Sequence, residues 1–224
     1  MGRFFRLKNN LGSIYATLML GRRPDQVKYV FMIGDRQDNL AEVERAAGHM
    51  KDPFGDPELE GLWAQRYHPP HYKIEDLAHL PDTTLGGVYA RFMIERQLRP
   101  DFYKDVVARH KMHWLRLRLR QTHDIWHVLT GFDTGPFGEV GLQGFYFAQV
   151  TNGQSALIFA GAMLKSIVAG RFGDLDRFVA YFFEGYRAGR NSRSLLAVGW
   201  ESCWDEPIET LRLRHGIVPA PLSL

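Results

Sequence analysis

Cysteine is almost absent from this chain, which has one, Cys203, among its 224 residues. No disulfide can form within the chain, and this fits a protein of a reducing compartment. Cys203 lies between Trp200 and Trp204, so we expect it to be packed rather than catalytic. The N-terminal residues lack the long apolar run and the cleavage site of a secretory signal.

Long hydrophobic runs and a strong charge imbalance are also missing. The longest apolar stretch, residues 156–169, is interrupted by Lys165 and Ser166, whereas a membrane-spanning helix needs about 20 apolar residues. We therefore predict a buried helix there.

The net charge of +3 is compatible with anionic ligands or a membrane surface but requires neither. Without a recognised motif or a strongly basic domain, we expect no nucleic-acid partner.

Alternating strand patterns are scarce, and the apolar spacing is mostly helical. Residues 115–120 alternate Leu and Arg, but the histidine pair that follows them needs helical spacing, so we predict a helix over residues 111–121. We predict an all-α fold in which residues 1–224 form a single-domain helical bundle, with Thr84 capping one helix. Further helices are predicted over residues 11–20, 39–50, 85–97, 140–149, 155–169, 175–188, 194–203 and 208–213.

Four residues have the types and the spacing of a divalent-metal site: His123, Asp124, His127 and Glu139. On a helix, His123 and His127 lie one turn apart on the same face, and Asp124 flanks that face. Two imidazoles and one or two carboxylates suit Zn²⁺ and would also bind Fe²⁺ or Mn²⁺. An isolated His-x-x-x-His pair, however, is often simply solvated or hydrogen-bonded.

The sequence after the histidines favours the metal interpretation. Helix-breaking residues crowd the segment that precedes the glutamate: Gly131, Gly135, Pro136 and Gly138. The resulting loop lets the chain turn back and present Glu139 to the two histidines.

This motif, H-D-x-x-H followed by eleven residues and E, resembles the signature of the ubiquinone (coenzyme Q) biosynthesis protein 4 family. Four further segments resemble family elements in the same order: L-P-x-x-T-L-G-x-x-Y at 80–89, G-x-x-x-G-x-x-S at 185–192, W-E at 200–201 and R-x-x-x-G-I at 212–217. The resemblance runs from about residue 70 to the C-terminus. One departure is that residues 142–147 lack the Lys and Glu that often follow the motif's glutamate, which could alter metal affinity or substrate.

The resemblance implies a divalent metal, zinc or iron, held by His123, Asp124, His127 and Glu139. It also implies an apolar lipid groove for a polyprenylated quinone precursor, and oxidative decarboxylation at ring carbon 1. Other ubiquinone-biosynthesis enzymes are the implied protein partners, and the family suggests a homo-oligomer. We expect a cytoplasmic, bacterial protein that is peripheral to the inner membrane, since no transit peptide is visible.

Three alternatives stay open at this point. The protein could be a non-catalytic lipid-binding scaffold that presents prenylated precursors to partner enzymes. A His-Asp pair also marks metal-dependent phosphohydrolases, although no further ligand is placed by spacing. Metalloproteases of the H-E-x-x-H type match less well, because their general base is a glutamate where this chain has Asp124.

The remaining histidines and basic residues carry weaker signals. His68 and His71 flank two prolines, and we expect a structural or solvated role for them. A basic run surrounds His110 and His113, and we predict a solvated surface there. The alternative is an anionic headgroup or pyrophosphate held beside the metal. The run consists of Arg109, Lys111, Arg116, Arg118 and Arg120.

Overall fold

A computed structural model of the protein describes residues 52–98, 108 and 110–220. Within these residues the regular secondary structure is helical, and the one strand-like feature is an isolated bridge between Thr84 and Pro207. The predicted all-α fold is confirmed. The helices predicted over 11–20 and 39–50 lie outside the described residues.

Residues 52–98 and 110–220 contain nine α-helices, with two short 3₁₀ helices at Pro53–Gly55 and Trp200–Ser202. The α-helices are α1 (Pro57–Ala64), α2 (Ile74–Leu77), α3 (Leu85–Glu95), α4 (Lys111–Gln121), α5 (His123–Thr130), α6 (Pro136–Gln149), α7 (Gly153–Val168), α8 (Gly173–Asn191) and α9 (Ile208–His215).

The described residues fall into two compact units. One unit contains residues 54–134 and 191–220, and the other contains residues 135–190. The single domain predicted for the whole chain stays a prediction.

In the first unit, α3 begins where the sequence predicts. Thr84 is its N-cap: the Gly87 backbone N–H donates to Thr84 Oγ1 at 3.2 Å, and the hydroxyl donates to the Pro81 carbonyl at 2.8 Å. The first bond pairs an N–H group of the first helical turn, which lacks a partner within the helix. The second bond stabilises the turn that leads into the helix. The helix ends at Glu95, slightly before the predicted residue 97.

Helix α4 is confirmed over residues 111–121, but the solvated surface expected for its arginines is wrong for Arg118. The side chain of Arg118 is 3% exposed and forms a two-pronged ion pair with Glu201, with N–O distances of 2.7 and 3.0 Å. Its partner is 83 residues away in the sequence, so the local charge pattern gives no indication of this burial.

The α-helix predicted over residues 194–203 is wrong. This segment consists of turns and the 3₁₀ helix Trp200–Ser202. Side-chain hydrogen bonds explain the difference: the Trp200 indole donates to the nearby Leu195 carbonyl at 3.1 Å, and the Glu201 carboxylate accepts from the distant Arg118. This local bond and this long-range ion pair favour the turns over a regular helix.

In the second unit, α6 and α8 approach each other through glycines. A Cβ atom added to Gly144 would lie 2.0 Å from the Phe182 carbonyl oxygen, and one added to Gly185 would lie 1.8 Å from the Gly141 carbonyl oxygen. Only glycine fits at such distances, which accounts for the G-x-x-x-G stretch of α8.

Helix α7 corrects the expectation that residues 156–169 are buried. Its only buried residues are Ser155 and Ser166, whereas Leu164, Ile167 and Val168 are 50–80% exposed. The opposite side packs Phe159 and other side chains against a small aromatic cluster. In the part of the chain that the structure describes, no helix is long and apolar enough to cross a membrane.

Candidate metal site

The two motif histidines share one face of α5, as the sequence predicts. Their Nε2 atoms lie 3.2 Å apart, and the rings meet edge to face with centroids separated by 4.7 Å. The four-residue spacing produces this proximity because residues i and i+4 lie one turn apart on a helix.

The orientation of His127 is determined by a backbone carbonyl. Its Nδ1 lies 2.9 Å from the carbonyl oxygen of Phe132. A carbonyl only accepts, so Nδ1–H is the donor, and neutral His127 carries its lone pair on Nε2, facing His123. His127 is 1% exposed, and its ring stacks on Phe92 of α3. A buried histidine held through one nitrogen by a carbonyl is the usual arrangement of a metal-ligating imidazole.

The distance between the two Nε2 atoms fits a shared cation. Two nitrogens that each lie 2.0–2.1 Å from a tetrahedral Zn²⁺ are about 3.3 Å apart, close to the observed 3.2 Å. Without a metal, the Nε2–H of His123 would donate to His127, because the Nε2 of neutral His127 can only accept. The pair can therefore act as a hydrogen bond or as two metal ligands.

Glu139 supplies a carboxylate from the first turn of α6. Glu139 belongs to the other compact unit, and its assignment as a third ligand beside the two histidines stays a prediction. Two imidazoles and one carboxylate are the donors of many catalytic zinc sites and of non-haem Fe(II) sites, so the predicted donor set fits either metal.

Asp124 is the other carboxylate of the sequence motif. It lies half-buried in the first turn of α5, and its assignment as a ligand stays a prediction.

His68, which the sequence suggested as structural or solvated, is exposed and donates from Nδ1 to the Pro69 carbonyl at 3.0 Å.

The negative charge of Asp124 acts on a buried phenol, that of Tyr89. Burial raises the pKa of Tyr89 strongly, and the neighbouring Tyr72 and the negative charge of Asp124 raise it further. The two tyrosine oxygens are 3.3 Å apart. Tyr89 therefore stays a neutral phenol at physiological pH. In the sequence, Tyr89 is recognised only as part of a family element. The role of Phe132 could not be predicted, because it is played by a backbone carbonyl that every residue type has.

The fold and this group of side chains define a helical protein with a candidate site for a divalent metal. Residues 64–221 match the model of the family described as Coenzyme Q (ubiquinone) biosynthesis protein Coq4. The match covers well over half of the chain, so the chain belongs to this family, and the resemblance found in the sequence is confirmed.

Two similar curated proteins are mitochondrial ubiquinone biosynthesis proteins of the same family. The one from Scheffersomyces stipitis is 26% identical over 88% of this chain, and the one from Danio rerio is 29% identical over 84%. The chain spans 61% and 72% of their lengths, and about half the length of several other relatives.

A solved structure is also similar. It is the crystal structure of a provisionally named ubiquinone biosynthesis protein from Nostoc punctiforme, with 32% identity and a TM-score of 0.76. The superposition covers 93% of this chain and 98% of the other.

Proposed function

We propose that this protein acts in ubiquinone biosynthesis by holding a divalent metal at His123, Asp124, His127 and Glu139 and binding the head of a prenylated quinone precursor there. The observation that carries the proposal is the histidine pair, whose Nε2 atoms are 3.2 Å apart while Nδ1 of His127 is held by a carbonyl. Family membership supplies the pathway.

The proposed reaction is oxidative decarboxylation at ring carbon 1. The bond between this carbon and the carboxyl group breaks, carbon dioxide leaves, and a carbon–hydroxyl bond forms. With molecular oxygen as the oxidant, one oxygen atom enters the hydroxyl group and the other leaves as water, which requires two electrons and two protons from an external reductant. A bound metal would supply Lewis-acid polarisation of the aromatic head and, if it is iron, redox chemistry with oxygen.

The protein's own residues have separate tasks in this proposal. The Phe132 carbonyl keeps the Nε2 lone pair of His127 directed toward His123. The negative charge of Asp124 contributes to the raised pKa of Tyr89, so Tyr89 stays a neutral phenol that can donate a hydrogen bond but keeps its proton.

The apolar side chains of α7 would bind the prenyl tail. Leu164, Ile167 and Val168 are at least half exposed, and Phe172 beyond the helix is 65% exposed. Several large apolar side chains exposed on and next to one helix are typical of sites for lipids or other apolar partners. We propose that the protein takes a membrane-embedded precursor by peripheral contact. Homo-oligomerisation and contact with other enzymes of the pathway belong to the same proposal.

Metal analysis tests the first part. Protein purified without added metal should contain close to one equivalent of zinc or iron, and the double variant His123→Ala, His127→Ala should lose it. The exposed His68→Ala variant should keep the metal and controls for the loss of a histidine. Equal metal content in the double variant and the wild type would contradict the proposed site.

Turnover separates an enzyme from its main alternative. Iron-loaded wild type, supplied with oxygen, a reductant and a prenylated hydroxybenzoate, should release carbon dioxide and form the hydroxylated product, and His127→Ala should not. The second candidate is a non-catalytic protein that presents precursors to partner enzymes, which the exposed apolar surface of α7 also supports. Tight binding of the precursor without turnover under any metal would favour this candidate.

A further inference from the structure

The last four backbone carbonyls of a helix have no hydrogen-bond donors within the helix. Those of α5 therefore need donors from other parts of the chain. In α5 these belong to residues 127–130. Arg212 supplies two donors: its Nη2 donates to the Val128 carbonyl at 2.8 Å, and its Nε donates to the Leu129 carbonyl at 2.9 Å. Its positive charge also suits the negative end of the helix dipole.

Backbone groups satisfy the two remaining carbonyls. The N–H of Gly131 donates to the His127 carbonyl at 2.9 Å, and the N–H of Ala220 donates to the Thr130 carbonyl at 2.7 Å. All four terminal carbonyls of α5 are therefore paired, and three of the four bonds come from residues between 212 and 220.

These donors belong to one short segment. Arg212 lies on α9, which ends before Gly216, and the N–H of the buried Ile217 donates back to the Arg212 carbonyl at 2.8 Å. The chain then continues from Ile217 to the buried Ala220. We call residues 212–220 the C-terminal clamp.

The clamp also contacts the turn that orients His127. Gly131 has φ of +77°, and a Cβ atom on it would lie 3.3 Å from both the backbone nitrogen and the backbone oxygen of Ala220. The next residue is Phe132, whose carbonyl accepts from Nδ1 of His127. The clamp therefore packs against the peptide that leads directly to the carbonyl holding the imidazole.

We propose that Arg212 and the C-terminal clamp are positioning elements that fix the Phe132 carbonyl and, through it, the tautomer and direction of His127. The inference rests on the proposed metal site. It goes further by making metal affinity depend on an arginine that offers no ligand atom. Loss of groups that orient metal ligands typically weakens metal binding about 10–100-fold.

Substitution of Arg212 tests this dependence. Arg212→Gln should weaken zinc binding at least about tenfold, as measured by competition with a chromophoric chelator. Arg212→Lys keeps the charge at the helix end and should recover part of the affinity. Arg214→Gln is the matched control, since Arg214 lies on the same helix and pairs with Glu206 at the surface. This control should bind zinc like the wild type.

A stability control separates positioning from general destabilisation. Leu211→Ala removes a fully buried side chain from the same helix without removing a donor to α5. It should lower the melting temperature while leaving the zinc affinity of the folded protein unchanged. If Leu211→Ala and Arg212→Gln weaken zinc binding in proportion to their loss of stability, the clamp is only structural and the inference is wrong.

The tautomer of His127 gives a readout that needs no metal. Nitrogen-15 NMR of the metal-free protein at about pH 8, where histidine is largely neutral, should show Nδ1 protonated in the wild type. Arg212→Gln should show a mixture of tautomers. Wild type that binds no metal would refute the proposed function and leave this test of the clamp intact. Metal binding by wild type, with an unchanged tautomer and unchanged affinity in Arg212→Gln, would refute the clamp alone.

Discussion

Arg118 and Glu201 form a buried ion pair in which two guanidinium nitrogens face two carboxylate oxygens at 2.7 and 3.0 Å. The side chains are 3% and 2% exposed, and the Tyr67 hydroxyl adds a hydrogen bond to the carboxylate at 3.3 Å. Removing two charges from water is costly, so such a pair persists only with matching geometry and further hydrogen bonds. The ion pair connects α4 with the 3₁₀ helix Trp200–Ser202. Helix α4 leads directly into α5, which carries the histidine pair.

Breaking this pair should destabilise the protein strongly. Glu201→Ala leaves the Arg118 guanidinium buried without its counter-charge, and we expect a loss of about 3–5 kcal/mol in the free energy of unfolding. Urea denaturation followed by far-UV circular dichroism measures it. The double variant Arg118→Met, Glu201→Leu should recover most of the loss, because apolar side chains can replace the pair. A double variant no more stable than Glu201→Ala would contradict this account.

The glycine contact between α6 and α8 gives a second prediction. Gly144→Ala places a methyl group 2.0 Å from the Phe182 carbonyl, so the helices must separate, and overpacking of this kind costs about 1–3 kcal/mol. Gly61→Ala is the matched control, because Gly61 lies within α1 and its added Cβ would meet nothing within 4 Å. The control should gain about 0.5–1 kcal/mol from helix propensity. Thermal unfolding of both variants should shift in opposite directions, and equal melting temperatures would refute the prediction.

Helix caps and the histidine pair could be predicted because their determinants are local. Thr84 caps the helix that directly follows it, and the spacing of His123 and His127 fixes a shared face once the segment is helical. The Leu-Arg alternation of α4 was ambiguous locally, and the requirement for helical spacing in the adjacent motif resolved it correctly.

Long-range and backbone interactions were beyond the reach of sequence patterns. The burial of Arg118 depends on Glu201, and the orientation of His127 depends on a backbone carbonyl at Phe132 that no side-chain type reports. The exposure of Leu164 and its apolar neighbours on α7 was also missed, because hydrophobicity predicts burial without indicating whether a partner surface exists.

The titration of His215 should make stability depend on pH. Burial lowers the pKa of His215 below its ordinary value, and the positive charges of Arg214 and Arg193 lower it further. Below an unfolded-state pKa of about 6.5, the unfolded chain binds this proton more readily than the folded protein does. Stability should therefore fall as the pH falls from about 6.5 toward the lower folded-state pKa, with the loss complete below it.

His215→Gln should reduce the decrease in melting temperature between pH 7.5 and pH 5.5, as measured by differential scanning calorimetry. The exposed His79→Gln variant removes a histidine elsewhere and serves as the comparison. A pH dependence that changes equally in both variants, or in neither, would show that His215 does not make this contribution.

Ligand substitutions should reveal how much each predicted metal ligand contributes. A metal that binds only the folded protein stabilises it by about 2.7 kcal/mol at 100 times its dissociation constant, so zinc should raise the melting temperature of the wild type. His127→Ala should lose most of this rise, because it removes one of the two imidazoles whose Nε2 atoms lie 3.2 Å apart. Asp124→Asn should keep a larger part of it, because both imidazoles remain and water can fill a vacated position. If Asp124→Asn loses the zinc response as completely as His127→Ala, Asp124 is an essential ligand of the proposed site.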